Sequence, residues 1–105
     1  PSGLNLTQLS GEVVERGALR YTPARVAVID FRMQHRSEQF EAGVVRKVEC
    51  EIPCVALGVN ANLIAAIKPG EQAQQLRVSG FLAARSLKHR TPVLHVNTIE
   101  FLEGN

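Results

Sequence analysis

The strongest constraint on this chain is a two-residue alternation of apolar and polar side chains that recurs along its length. From Arg25 to His35, Ala27, Ile29, Phe31 and Met33 share one parity, and Val26, Val28, Asp30, Arg32 and Gln34 share the other. Successive side chains of a strand point to opposite faces, so this segment predicts a strand with one buried and one wet face. Val44 to Cys54 repeats the pattern. Val44, Val48, Cys50, Ile52 and Cys54 form its apolar face, with Val45, Lys47, Glu49 and Glu51 opposite. Arg46 interrupts the apolar face near the strand's start, where the chain is expected to clear the core. Pro53 has no N–H for a sheet ladder and is expected at an edge or at the strand's end. A first strand, Leu4 to Val14, switches parity between Leu4/Leu6 and Leu9/Val13, which predicts a β-bulge near Thr7–Gln8. The last strand switches in the same way, from Leu94 and Val96 to Ile99 and Phe101.

Between the third and fourth strands the alternation stops. Asn60 to Lys68 is built of good helix formers, with Asn60 or Asn62 available as cap and Lys68-Pro69-Gly70 to end it. The fourth strand turns Leu76, Val78 and Leu82 inward and places Gly80 where two backbones pass closely. The order is therefore β-β-β-α-β-β, and the two bulges suit a strongly coiled small barrel. An all-β, five-stranded OB-fold Greek-key barrel with one short helix between strands 3 and 4 has this order. The helix position favours it over other small barrels. At 105 residues, the chain is expected to form a single domain over 1–105 whose core needs no staples. No internal repeat, linker or low-complexity tract interrupts it. No apolar run approaches the ~20 residues of a membrane span, and no secretion signal opens the chain, which starts at Pro1 rather than Met. The cytoplasm is the expected compartment, with no membrane partner.

Catalytic and metal chemistry find little footing. Cys50 and Cys54, four apart on a strand, would lie ~13 Å apart, beyond the ~7 Å between Cα atoms that a disulfide tolerates. Both are expected to be buried thiols. His35, His89 and His95 stand alone, without zinc-ligand spacing, and His95 is expected to make a structural hydrogen bond. Glu49 and Glu51 are same-face strand neighbours and read as a solvated face rather than a catalytic pair. Neither a metal-binding carboxylate cluster nor a phosphate-binding glycine loop is visible, so neither an enzyme nor a cofactor is expected.

Charge is more informative. The formal net charge is +2, but it is the remainder of uneven stretches. From Gln72 to Ile99 there is no acid, against Arg77, Arg85, Lys88 and Arg90. From Arg16 to Arg36 there are five arginines against Asp30 alone. Acids collect elsewhere, at Glu38, Glu41, Glu49, Glu51, Glu71, Glu100 and Glu103. The tightest basic cluster, Arg85-Ser-Leu-Lys88-His89-Arg90, lies between strands four and five, and Arg20-Tyr-Thr-Pro-Ala-Arg25 lies between strands one and two. These two loops flank the face with which OB folds grip nucleic acid, and phosphates respond to such local fields. Aromatic side chains are scarce: no Trp, one Tyr and four Phe. Phe31 and Phe101 read as core. Tyr21 and Phe40, placed in loops, are free to stack on bases. Phe81, on the polar parity beside Arg77 and Arg85, fits either stacking or packing. A binder built this way relies on charge and is sensitive to salt.

Several short stretches taken together are more specific than any one of them. They are Leu9-Ser10-Gly11, Leu19-Arg20 with Pro23, His35-Arg36-Ser37 followed by Glu41-Ala42-Gly43, and Cys50-Glu-Ile-Pro53. Val78-Ser-Gly-Phe81 and Val93-Leu94-His95 with Ile99-Glu100 complete the set. In this order and spacing, from Leu9 to Glu103, the chain resembles the primosomal replication protein N (PriB) family, bacterial relatives of the single-stranded DNA-binding proteins. The resemblance implies an OB-fold homodimer that binds single-stranded DNA and works with the primosomal helicase PriA and with DnaT in restarting stalled forks. The chain stops at Glu103-Gly104-Asn105 without a long acidic tail, which favours this family over its relative. Family basic positions match Arg16, Arg20 and Arg36, and the loop character matches Arg85, Lys88 and Arg90. The family's stacking Trp falls at Glu49, a neighbouring aromatic falls at Val44, and a loop glycine expected near Ala24 is missing. Arg46 and Lys47 compensate in part.

The sequence therefore predicts a non-catalytic single-stranded DNA-binding adaptor of the replication restart primosome. Its nucleic-acid contacts would be Arg16, Arg20, Tyr21, Arg36, Arg46, Lys47, Arg85, Lys88, His89 and Arg90. A homodimer would pair the first strand with its mate through Leu4, Leu6 and Gln8, covering an edge that otherwise invites uncontrolled pairing. The alternative is a protein-interaction OB module of the primosome with little DNA binding of its own.

Overall fold

A computed structural model of the chain describes residues 2–70 and 74–103. Pro1, Glu71, Gln72 and the Gly104-Asn105 end, named above, lie outside the described residues. The elements are β1 (Thr7–Arg16), β2 (Arg20–Tyr21), β3 (Ala27–Glu41), β4 (Val44–Leu57), α1 (Val59–Ala65), β5 (Gln75–Ala84) and β6 (Pro92–Phe101). The sheet runs β1-β5-β6-β4-β3-β2, and a further β1–β3 pairing closes the five long strands into a barrel. The β4–β6 seam is parallel and spans only Cys54 to Ala56 on β4, facing Leu94 to Val96 on β6. With α1 inserted between β4 and β5, this is the OB topology expected from the position of the helix.

Ile29, Phe31 and Met33 from β3 meet Leu76 and Val78 from β5 and Leu94 from β6 in one core, all nearly or fully buried. Ala61 and Ile64, three apart on α1, form the helix face that plugs the barrel end. At Gly80 a Cβ would land on the backbone carbonyl of His95, so the close passage expected there is real. The expected bulge in the last strand is also present. Ser79 faces Thr98 and Gly80 faces Val96, leaving Asn97 as the extra residue. Asn60 braces it, donating from Nδ2 to the Asn97 carbonyl at 2.9 Å.

Several expectations need correction. The bulge in β1 lies at Val14, between the Val13–Met33 and Glu15–Arg32 pairs, not near Thr7–Gln8. Leu4 and Leu6 precede the strand and are exposed, so their parity carries no information about its inner face. Asn5 between them is anchored, its side-chain amide exchanging two hydrogen bonds with the backbone of Leu82. The helix is capped by Gly58 rather than Asn60 or Asn62, and it ends at Ala65, short of Lys68. Ile67 beyond it still turns into the core. Pro53 pairs with Arg32 inside β4, just before the β6 seam, which agrees with the edge position expected as one of its two alternatives. Phe101, read as core, is 44% exposed at the end of β6.

The largest departure is the length of β3 and β4. They pair from Val28–Leu57 out to Glu41–Val44, whereas β1 accompanies β3 only as far as Gln34. His35 stays buried, with its Nδ1 2.7 Å from the Ser10 carbonyl of β1. Beyond it β3 and β4 leave the barrel as a two-stranded ribbon, roughly 20 Å long at about 3.3 Å per residue. Val44, Cys50 and Val45 on it are exposed. The apolar face read from Val44 to Cys54 meets the core only from Ile52 onward. Cys54 is fully buried, and burial pushes its thiol up to about 12 against the opposing charge of Arg32. Cys50, expected to be buried as well, sits on the ribbon in solvent. The ribbon also explains a radius of gyration of 14.7 Å, against about 13 Å for a compact domain of this length.

Candidate nucleic-acid interface

The outer face of β3 carries Val28, Asp30 and Arg32 in one parity, but only Asp30 and Arg32 reach solvent there, since Val28 is buried in a cluster with Val55 and Val93. Asp30 is the hub of the basic residues around it. Arg20, on the short β2 strand paired to β3, donates from Nη1 to Asp30 Oδ2 at 2.5 Å. Arg85, where the chain leaves β5, donates from Nη1 to Asp30 Oδ1 at 3.2 Å. Partial burial works to raise the Asp30 pKa, but the hydrogen bonds and charges of Arg20 and Arg85 prevail and hold it below its ordinary 3.8. The loop between β1 and β3 and the loop between β5 and β6 are thus tied to one carboxylate. A cleft of about 240 Å³ opens beside it, lined by Glu15, Arg16, Gly17, Asp30, Phe31, Arg32, Pro53 and Arg85. Arg16 is less free than its position in the sequence implies. Its Nε donates to the Ile67 carbonyl at 2.8 Å, so it also ties the end of β1 to the segment after α1.

Arg36, Arg46 and Lys47 lie on the ribbon, away from this cleft. Arg36 pairs with Glu49 at 2.7 Å and approaches Glu12 at 3.9 Å. Arg46 pairs with Glu41. Lys47 faces Glu38 across the ribbon, and among the described residues it makes no ion pair. A shallow groove of about 480 Å³ is lined by Arg36, Ser37, Glu38, Lys47, Val48 and Glu49.

The third group lies in loop 85–91. Its turn is closed by Ser86 and His89: the His89 N–H donates to Ser86 Oγ at 3.1 Å, and the Ser86 N–H donates to the His89 carbonyl at 3.4 Å. His89, expected to touch nucleic acid, shapes the loop through its backbone and is itself exposed, as are Lys88 and Arg90, which make no ion pair among the described residues. Tyr21 is exposed on β2 and paired with Ala27, rather than in a loop. Phe40 is likewise in a strand, near the end of β3. Phe81 packs flat on His95, with ring centroids 4.9 Å apart and planes 10° apart, which gives His95 a stacking partner where a hydrogen bond is expected.

The structure therefore brings Arg16, Arg20 and Arg85 together around Asp30 and sets the ribbon cations and loop cations apart from them. Two contributors are missed by the sequence reading. Arg32 lines the cleft, and its parity beside Asp30 is the signal that marks it. Asp30 itself appears in the sequence only as one acid among five arginines. Among the described residues, no group of three or more His, Cys, Asp or Glu side chains is placed to hold a metal ion. Among the same residues, no helix is long and apolar enough to cross a membrane.

A closed five-strand barrel with a helix before its fourth long strand, and arginines gathered where its loops meet, has the architecture of the OB domains of single-strand binding proteins. Residues 5–98 match a family described as another single-strand binding protein family. The replication restart protein PriB of Bordetella pertussis is 37% identical over 102 residues, covering 97% of this chain and 92% of its own. That of Nitrosomonas europaea is 33% identical over 97 residues, covering 90% of this chain and 87% of its own. A solved structure of PriB from Ralstonia solanacearum superposes with a TM-score of 0.82 at 32% identity, covering 96% of this chain and all of that one. A single-stranded DNA binding protein from Thermus aquaticus superposes with a TM-score of 0.76 at 26% identity, covering 97% of this chain and 52% of that one. The chain belongs to this single-strand binding family, among its PriB replication restart proteins.

Proposed function

We propose that this protein binds single-stranded DNA as a non-catalytic component of replication restart in the cytoplasm. The observation that carries the reading is the convergence of Arg20 and Arg85, from two different loops, on Asp30, beside a cleft that Arg16, Arg32 and Arg85 line. Guanidinium groups held at a cleft mouth contact phosphates without reading sequence. Lys88 and Arg90 on the adjoining loop, Tyr21 on β2, and Arg36, Arg46 and Lys47 on the ribbon would extend the contact. His89 would support it through the loop turn. In this reading no cofactor takes part, and the partners are a second copy of the chain, the helicase PriA and DnaT.

Support for the second copy comes from β1. Its pairing with β5 covers Thr7 to Glu12, but its pairing with β3 begins only at Glu12. From Thr7 to Gly11 one edge has no strand partner among the described residues, and the exposed Leu4 and Leu6 lie beside it with Gln8. Such an edge is protected when it pairs with its own mate.

The test is a salt titration of binding to a labelled oligothymidylate. Binding at low salt is expected to weaken steeply as salt rises, and replacing Arg85, Lys88 and Arg90 together by Ala is expected to weaken it alike on all sequences. An absence of binding at low salt would sink the proposal. One observation favours the second reading, a primosome interaction module with little DNA binding. Arg36 and Arg46 are already neutralised by Glu49 and Glu41. Capture of PriA that survives the triple replacement, in a chain that does not bind DNA, would establish it.

A further inference from the structure

The ribbon carries an exposed aromatic side chain that neither the cleft nor the family pattern uses. Phe40 is 74% exposed and faces Val45, itself 51% exposed, across the ribbon. Register and the two-residue period place Phe40–Val45, Glu38–Lys47 and Arg36–Glu49 as successive steps on one face. The position of the family's stacking ring, Glu49, is two steps inward on that face and is paired with Arg36. Val44 points to the other face, opposite Glu41. Phe40 and Val45 therefore make a flat apolar step at the ribbon's end, followed directly by a lysine without an ion pair among the described residues.

The geometry points to Phe40, backed by Val45 and flanked by Lys47, as a base-stacking platform for single-stranded nucleic acid at the outer end of the ribbon. It rests on the function proposed above and names where that function gains its non-electrostatic part. An aromatic ring stacks on any base, and a lysine one step away meets the neighbouring phosphate. Oligothymidylate is the fitting probe, because stacking of this kind does not depend on sequence.

The protein contains no Trp, so Phe40→Trp creates a single reporter at the platform. Its emission is expected to be quenched on titration with oligothymidylate, and that of Val59→Trp, exposed on α1 away from the ribbon, is not. Phe40→Ala is expected to weaken binding about ten-fold with an unchanged salt slope, since no charge is removed. Lys47→Ala is expected to lower the slope. Wild-type binding that Phe40→Ala leaves unaltered, or equal quenching at both Trp positions, overturns the platform alone. A wild-type protein that does not bind overturns it together with the function it rests on. A change in self-association without a change in affinity for Phe40→Ala would assign the step to a second copy and also overturn it.

Discussion

Asp30 receives one arginine on each carboxylate oxygen, and the two arginines come from segments that are distant in sequence. Its carboxyl is held below 3.8, so the folded state binds its proton less readily than the unfolded chain. The stability this contributes is fully present above pH 3.8 and is lost as pH falls below that value toward the lowered folded value. Asp30→Asn should remove it, at a cost on the order of 1 kcal/mol, because the side chain is 35% exposed and water screens the pair. The gap in melting temperature between wild type and variant should narrow between pH 6 and pH 3. A gap independent of pH would contradict the assignment. The same variant frees Arg20 and Arg85, so it should bind oligothymidylate a few-fold more tightly at low salt. Weaker binding would mean that the carboxylate positions the arginines rather than competing for them.

At the scale of elements, the ribbon depends on its turn and its cross-strand pairs. A two-stranded ribbon without a third strand is marginal by itself. Ala42 and Gly43 join its strands with φ of 52° and 79°, the left-handed pair of a type I′ turn. Alanine in that conformation costs about 1 kcal/mol or more, and asparagine suits it better. Ala42→Asn should stabilise the ribbon by about 0.5–1 kcal/mol, read as slower amide exchange at residues 36–50 with little change in β5 or β6. Uniform slowing across the barrel would show that the ribbon does not open separately. Much of the element order was legible in the sequence. The period-2 runs located the strands, the break at residues 60–68 located the helix, and the parity switch after Val96 located the last bulge. The ribbon was not legible, because alternation assigns a residue to a face without saying whether anything covers that face. Cys50 and Val44 share the parity of Cys54, yet only Cys54 reaches the core. The basic cleft was half legible. Charge counting found Arg20 and Arg85 but not that Asp30 binds both, since a hub is a property of three segments meeting in space. Leu4 and Leu6 misplaced the first bulge for a related reason, lying beside β5 without joining the strand.

For the molecule as a whole, the open stretch of β1 and the exposed leucines before it bear on assembly. Replacing Leu4 and Leu6 together by Asp should convert a dimer to a monomer at micromolar concentration in sedimentation, with the barrel still folded because neither residue enters its core. A dimer that persists would move the interface elsewhere. The arrangement around Asp30 also governs how binding responds to salt. Ordinarily each phosphate met by a free cation expels condensed ions into solution, and the slope of affinity against salt counts those contacts. Arg20 and Arg85 already have a carboxylate as their counterion. When a phosphate takes them, the nucleic acid sheds its condensed cations, but Asp30 loses its partners, stays tethered and draws cations back from solution. The exchange releases fewer small ions than the number of arginine–phosphate contacts formed. A salt slope measured for this protein will therefore under-count the phosphates it holds, and the missing contacts are those at the cleft.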